Sequence, residues 1–157
     1  MTLFATHTQE TSLQPSELEV CLKLLLHEIR QRSVGRSAQL PEPVVQFSAI
    51  RTEYWKFDDY MKFLDTTWTA TQGAAKKAGY VTGYKFITVE PRGENDPDIC
   101  LVVYSKNWAA LDGGTAKAVA IADQVEGSLA AANKGAVDRG KICGTLGSWT
   151  GQELDLK

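Results

Sequence analysis

Arg51 and Glu53 stand two residues apart in a run, Val44 to Trp55, that is otherwise rich in β-branched and aromatic residues. Charge in such a strand is costly unless it is paired or wet. Two readings follow. The pair closes an ion pair at a sheet end, or it supplies the polar groups of a pocket. Tyr54, Trp68, Tyr84 and Tyr104 fall in or beside neighbouring elements and would line such a pocket. Binding sites are commonly apolar cavities with a few convergent polar groups. The six residues Arg51, Glu53, Tyr54, Trp68, Tyr84 and Tyr104 are thus the candidate ligand contacts, and the plainer reading makes the aromatics core and subunit interface.

Other chemistry is poorly supplied. The two histidines, His7 and His27, both precede residue 44. Imidazole is the commonest general base near neutral pH, so much acid–base catalysis is disfavoured. Cys21, Cys100 and Cys143 form no CxxC pair, which disfavours a zinc knuckle or a redox dithiol. Cys100 sits in an apolar run and reads as a small buried hydrophobe. Asp58-Asp59 is explained by helix capping and Asp96/Asp98 by a turn, so no metal site is expected. Gly140, Gly144 and Gly147 lack the lysine of a phosphate loop and read as strand kinks. No serine lies in a GxSxG elbow. No cofactor is expected.

The chain has 157 residues, 43% of them hydrophobic and 23% charged, with a net charge of -2. These are the proportions of a globular protein. The charge gives no footprint for nucleic acid or anionic lipid. No stretch reaches the ~18 apolar residues of a membrane span, and the N-terminus lacks a convincing signal peptide. The expected compartment is the cytoplasm, the alternative being export if the true start differs.

The elements must position these groups. Residues 1–43 read as an extension: a helix over about 16–32, with Leu18, Cys21, Leu22, Leu25 and Ile29 in one stripe, then a linker with Pro41 and Pro43. Residues 44–157 read as strand, helix, two strands, helix, strand. The first strand spans Val44–Trp55. A helix capped by Asp58 carries Tyr60, Met61, Leu64, Trp68, Thr71, Ala75 and Ala78 on one face and ends at Gly79. Strands follow over Tyr80–Glu90 and Asp98–Lys106. Asn107 caps a short helical piece, an alanine-rich helix runs from Thr115 to about Lys134, and Ile142–Leu154 is the last strand. The βαββαβ order is that of a ferredoxin-like α+β sandwich. Ile99 to Tyr104 is apolar on both parities, as in a central strand covered on both faces. A second copy packed sheet to sheet would supply that cover.

The stretch Tyr54-Trp55-Lys56-Phe57-Asp58-Asp59-Tyr60-Met61-Lys62-Phe63-Leu64, followed by Trp68, resembles the strand-to-helix junction of the dimeric α/β-barrel superfamily. Ser105-Lys106-Asn107-Trp108-Ala109-Ala110-Leu111 resembles its junction after the third strand. The resemblance implies a homodimer in which two ferredoxin-like domains form a barrel. It covers small monooxygenases, haem-degrading enzymes and stress-responsive proteins. Haem enzymes of the group use a barrel-domain histidine, which residues 44–157 lack. The expected function is therefore binding of a small, partly apolar ligand between helix layer and sheet. The alternative is a cofactor-independent monooxygenase or isomerase acting on an aromatic or polyketide-like substrate. A third option is an interaction subunit that uses the N-terminal helix.

Overall fold

The computed structural model describes residues 43–154. The helix expected over about 16–32 and its linker lie outside the described residues. Four strands form one antiparallel sheet: β1 (Val44–Thr52), β2 (Gly83–Thr88), β3 (Ile99–Ser105) and β4 (Cys143–Gln152), in the order β2-β3-β1-β4. The register runs from Val44↔Ser105 to Ile50↔Ile99 between β1 and β3. Between β1 and β4 it runs from Val44↔Gln152 to Thr52↔Cys143, with a bulge at Ala49/Ile50. β3 and β1 are thus the central strands, as the two-sided apolar pattern of Ile99–Tyr104 requires.

The first crossover helix is one rod in three parts: α1 (Phe57–Phe63), a π-helical turn (Leu64–Trp68) and α2 (Thr69–Lys77). Asp58 does not cap it. Lys56 holds the cap position, two residues earlier, and Asp58 and Asp59 occupy the first turn, where the positive end of the helix dipole favours carboxylates. Lys56 hydrogen-bonds and pairs with Asp59 at 3.0 Å, which holds that carboxyl below its ordinary range. Tyr60, Leu64 and Trp68 face the sheet. A plain α-helix would rotate residues four apart steadily off one face. The wider π turn takes more residues per revolution and brings Trp68 back over the strands. The Thr69 hydroxyl donates to the Leu64 carbonyl at 2.7 Å across this turn. Gly79 ends the segment at φ 76, the left-handed geometry that glycine takes without penalty.

The alanine-rich stretch is two helices rather than one. α3 (Gly114–Glu126) stops at Gly127, φ 80, and Ser128 opens α4 (Leu129–Arg139) by accepting from the Ala131 amide at 3.1 Å. Gly135, just past the expected end near Lys134, lies inside α4. A 3₁₀ turn (Trp108–Leu111) precedes α3, capped by Asn107 as its sequence suggests, with the Ala110 amide 3.0 Å from Oδ1.

The sheet has two apolar faces. Toward the helices, Ile50, Ile99, Leu101, Val103, Tyr84 and Phe86 pack with Tyr60, Leu64 and Trp68. On the other face Val45, Phe47, Ala49, Cys100, Val102 and Tyr104 form a second buried cluster with Trp149 beside it. The described members of that cluster come from the strands and their flanks. Trp149 stacks at 5.7 Å on Phe47 and lies over Gly147, where an added Cβ would sit 2.7 Å from its ring. Gly147 is thus a close-approach position as well as a strand residue.

Candidate ligand cavity between the helices and the sheet

A cavity of about 500 Å³ lies between α2, α3, α4 and the sheet. Gln46 of β1 and Ser105 of β3 reach it from the sheet. α2 contributes Thr71, Gln72 and Ala75. Tyr80, Val81, Ala110 and Leu111 come from the connections around β2 and β3. The far wall is Gly114, Lys117, Ala118, Ile121, Ala122 and Glu126 of α3, continued by Leu129, Ala132, Asn133 and Arg139 of α4.

The sequence explains the space. Alanine side chains on α3 and α4 are too short to fill the distance to the sheet, and close packing otherwise leaves few such voids. The bend at Gly127–Ser128 lets both helices border one hollow. The strand beneath is polar where a packed core would be apolar. Residues of one parity share a sheet face, so Val44, Gln46 and Ser48 point to the helix side, opposite Val45, Phe47 and Ala49. Ser48 Oγ lies 2.8 Å from Ser148 Oγ on β4. The arrangement is an alanine-walled cleft over hydroxyls and amides, suited to a ligand with an apolar body and a few oxygen groups.

Two lining groups lack ordinary partners. The Ser105 side chain is wholly buried and its hydroxyl makes no hydrogen bond among the described residues. An unsatisfied buried hydroxyl typically costs ~1–3 kcal/mol. Lys117 Nζ donates to the Ala110 carbonyl at 2.7 Å and sits 5.3 Å from the centre of the Tyr80 ring. It has no carboxylate partner among the described residues.

The six residues anticipated from sequence do not converge on this cavity. Arg51 donates to the Asp96 carbonyl at 3.0 Å and ties β1 to the β2–β3 connection. Glu53 is exposed in a turn where its carbonyl accepts from the Lys56 amide at 2.9 Å. β1 stops at Thr52, short of Trp55, because Trp55 takes φ 62, a left-handed turn conformation. Tyr54 and Trp55 are therefore 81% and 84% exposed and stack edge to face at 4.7 Å. Trp68 and Tyr84 do come together, T-shaped at 5.5 Å, within the helix–sheet core. Tyr104 belongs to the opposite face, with Lys85 Nζ 5.7 Å from its ring centre. Sequence reasoning missed Gln46, Ser105 and Lys117. Polar residues at alternate positions of an otherwise apolar strand, Gln46 and Ser48, were the available signal.

A second polar cluster lies near the far end of β1. The buried Asp98 carboxylate accepts from the Thr52 amide at 3.1 Å with each oxygen, and from the Thr52 hydroxyl. This carboxylate is a strand clamp rather than a turn residue. Asp96 is the turn residue, accepting at 2.8 Å from the Arg92 and Gly93 amides. Burial pushes the nearby Tyr60 phenol well above its ordinary range, and the Cys143 thiol upward too. Both stay protonated at neutral pH, which argues against a reactive thiolate. The described residues hold no cluster of His, Cys, Asp and Glu suited to a metal ion. No helix among them is long and apolar enough to cross a membrane.

A four-stranded antiparallel sheet of this order, with helical crossovers, makes the chain an α+β protein compatible with a ferredoxin-like fold. Its structure is similar to the crystal structure of HapK from Hahella chejuensis, with a TM-score of 0.50. The two are 11% identical over 73% of this chain and 95% of that one, so the likeness speaks for the fold alone. No family model matches the chain. No curated protein matches it either.

Proposed function

We propose that this chain is a small-molecule-binding protein whose ligand occupies the cleft between the helix layer and the sheet. The cavity of about 500 Å³ over Gln46 and Ser105 carries the reading. It falls in the size range of ligand pockets, and its walls are short aliphatic side chains with polar groups beneath. We further propose that two copies pair through the sheet face bearing Val45, Phe47, Val102 and Tyr104, as in the dimeric α/β barrels. Apolar sheet faces of this kind pack against a second sheet at about 10 Å.

Two matched probes test the cavity: 2-naphthoate and its neutral counterpart 2-naphthamide, titrated calorimetrically. At least one should bind once per chain. Ala118→Trp places an indole in the cleft from an exposed position on α3 and should abolish that binding while the fold melts as before. If neither probe binds the parent chain, or if the tryptophan variant binds them unchanged, the cleft is not a ligand site. Sedimentation equilibrium at micromolar concentration tests the pairing. A monomer there would overturn the pairing.

A further inference from the structure

The balance of charge around the cleft says what kind of ligand it suits, granted that it is the binding site proposed above. The charged groups of its lining are Lys117, Arg139 and Glu126. Among the described residues, none of the three forms an ion pair. Arg139 is engaged elsewhere, its guanidinium 4.6 Å from the centre of the Phe63 ring. Glu126 lies nine residues beyond Lys117 on α3, so their Cα atoms are about 13 Å apart along the helix. Among the described lining residues, Lys117 is consequently the one charge at its end of the cleft.

That end is also where Ser105 stands. The Tyr104 carbonyl accepts from the Thr82 amide at 2.7 Å, which brings the Tyr80–Thr82 connection beside the end of β3. Lys117 bridges this corner, bonded to the Ala110 carbonyl and set against Tyr80. An ammonium carries three donors. One is spent on Ala110, and the Ser105 hydroxyl offers another donor with no partner among the described residues. Donors thus gather at one corner, and among the described residues no carboxylate accepts from the lysine. Ala75, Val81, Leu111, Ala118, Ile121 and Ala122 are among the apolar residues of the wall.

We propose that the cleft takes an amphipathic anion, an apolar body ending in a carboxylate, with the acid group held by Lys117 Nζ and the Ser105 hydroxyl. A carboxylate is an acceptor with about four lone-pair sites and matches such a donor corner. A neutral ligand that displaced water would leave the ammonium desolvated without a counter-charge, which is unfavourable. A cationic head group would be repelled by it.

The test is calorimetric comparison of 2-naphthoate with 2-naphthamide on the wild type, Lys117→Met, Lys117→Arg and Ser105→Ala. The wild type should prefer the acid by ~10-fold or more, the usual range for a hydrogen-bonded charge. Lys117→Met should erase that preference, weakening 2-naphthoate and binding 2-naphthamide no more weakly than the wild type does, while Lys117→Arg keeps the preference. Ser105→Ala should weaken the acid alone, by ~3- to 10-fold. The amide titration doubles as a check that each variant is folded. Equal binding of both probes by the wild type would overturn the anion reading and leave the cleft as a site for neutral ligands. An acid preference that survives in Lys117→Met would overturn the role of the lysine. Failure of both probes to bind would remove the site itself. Should Lys117→Met fail to fold, the wild-type preference and its retention in Lys117→Arg decide the question.

Discussion

Trp68→Ala should destabilise the domain by about 4 kcal/mol. The indole is 9% exposed and lies on the helix face that meets the sheet. A buried aromatic removes roughly 150–250 Å² from water. At about 25 cal/mol per Å², this gives ~4–6 kcal/mol as an upper bound. The indole also meets Tyr84 at 5.5 Å and Phe86 at 6.2 Å, both edge to face. Each such pair adds ~0.5–1.5 kcal/mol. Alanine retains only its Cβ, and partial collapse of Tyr84 and Phe86 into the gap returns some of the loss. The balance falls inside the ~3–5 kcal/mol typical of buried Trp→Ala changes. Urea unfolding followed by far-ultraviolet circular dichroism is the assay. With a slope of ~1.5–2 kcal/mol/M, the midpoint should fall by ~2–3 M. Trp68→Phe keeps a ring on both partners and should lose less than half as much. A midpoint shift under ~0.5 M for the alanine variant would refute the placement of the indole and with it the role given to the π turn.

Asp98→Ala removes the carboxylate that holds the Thr52 amide and hydroxyl in a buried setting, and the urea midpoint should report a loss of ~2–3 kcal/mol. Thr52→Val, which removes the hydroxyl and leaves its amide bonded, should cost less. Alkaline pH is the second lever. Burial raises Tyr60 and Cys143 above their ordinary values of 10.0 and 9.0. The folded state then holds these protons more tightly than the unfolded chain. Their contribution is complete below pH 9 and declines as pH climbs from there through the folded-state values. Melting curves between pH 8 and 11 should show this decline, and the Tyr60→Phe, Cys143→Ala double variant should flatten it. An unchanged slope in the double variant would place the titrating groups elsewhere.

Much of the frame was legible because apolar patterning has period and length. Ile99–Tyr104 could only be a central strand, and the stripe through Tyr60, Leu64 and Trp68 could only be a helix against a sheet. Asn107 and Gly79 announced their caps by residue type. What escaped was set by geometry rather than composition. The break at Gly127–Ser128 hides among alanines whose helix propensity runs through it. Ala74, one residue off the stripe through Trp68 and Ala75, is buried as well. The cleft was invisible for a different reason. It is built from side chains too small to stand out, and its lysine reads, one residue at a time, like any solvated face of a helix. Arg51 drew attention as a charge in a strand, yet a backbone carbonyl 3.0 Å away is enough to account for it.

The π turn at Leu64–Trp68 has a consequence for how this chain tolerates changes in length. An i→i+5 turn is an α-helix with one residue too many. Deleting a single residue there, Thr66 for instance, would let the rod relax into unbroken α-helix. It would also turn everything after it by about 100° relative to everything before. The N-terminal half anchors the core through Tyr60 and Leu64, whereas the C-terminal half presents Thr71, Gln72 and Ala75 to the cleft. The two halves would then be out of step, one seated on the sheet and the other aimed past the hollow it now borders. The surplus residue works as a spacer that keeps two tasks of one helix in alignment.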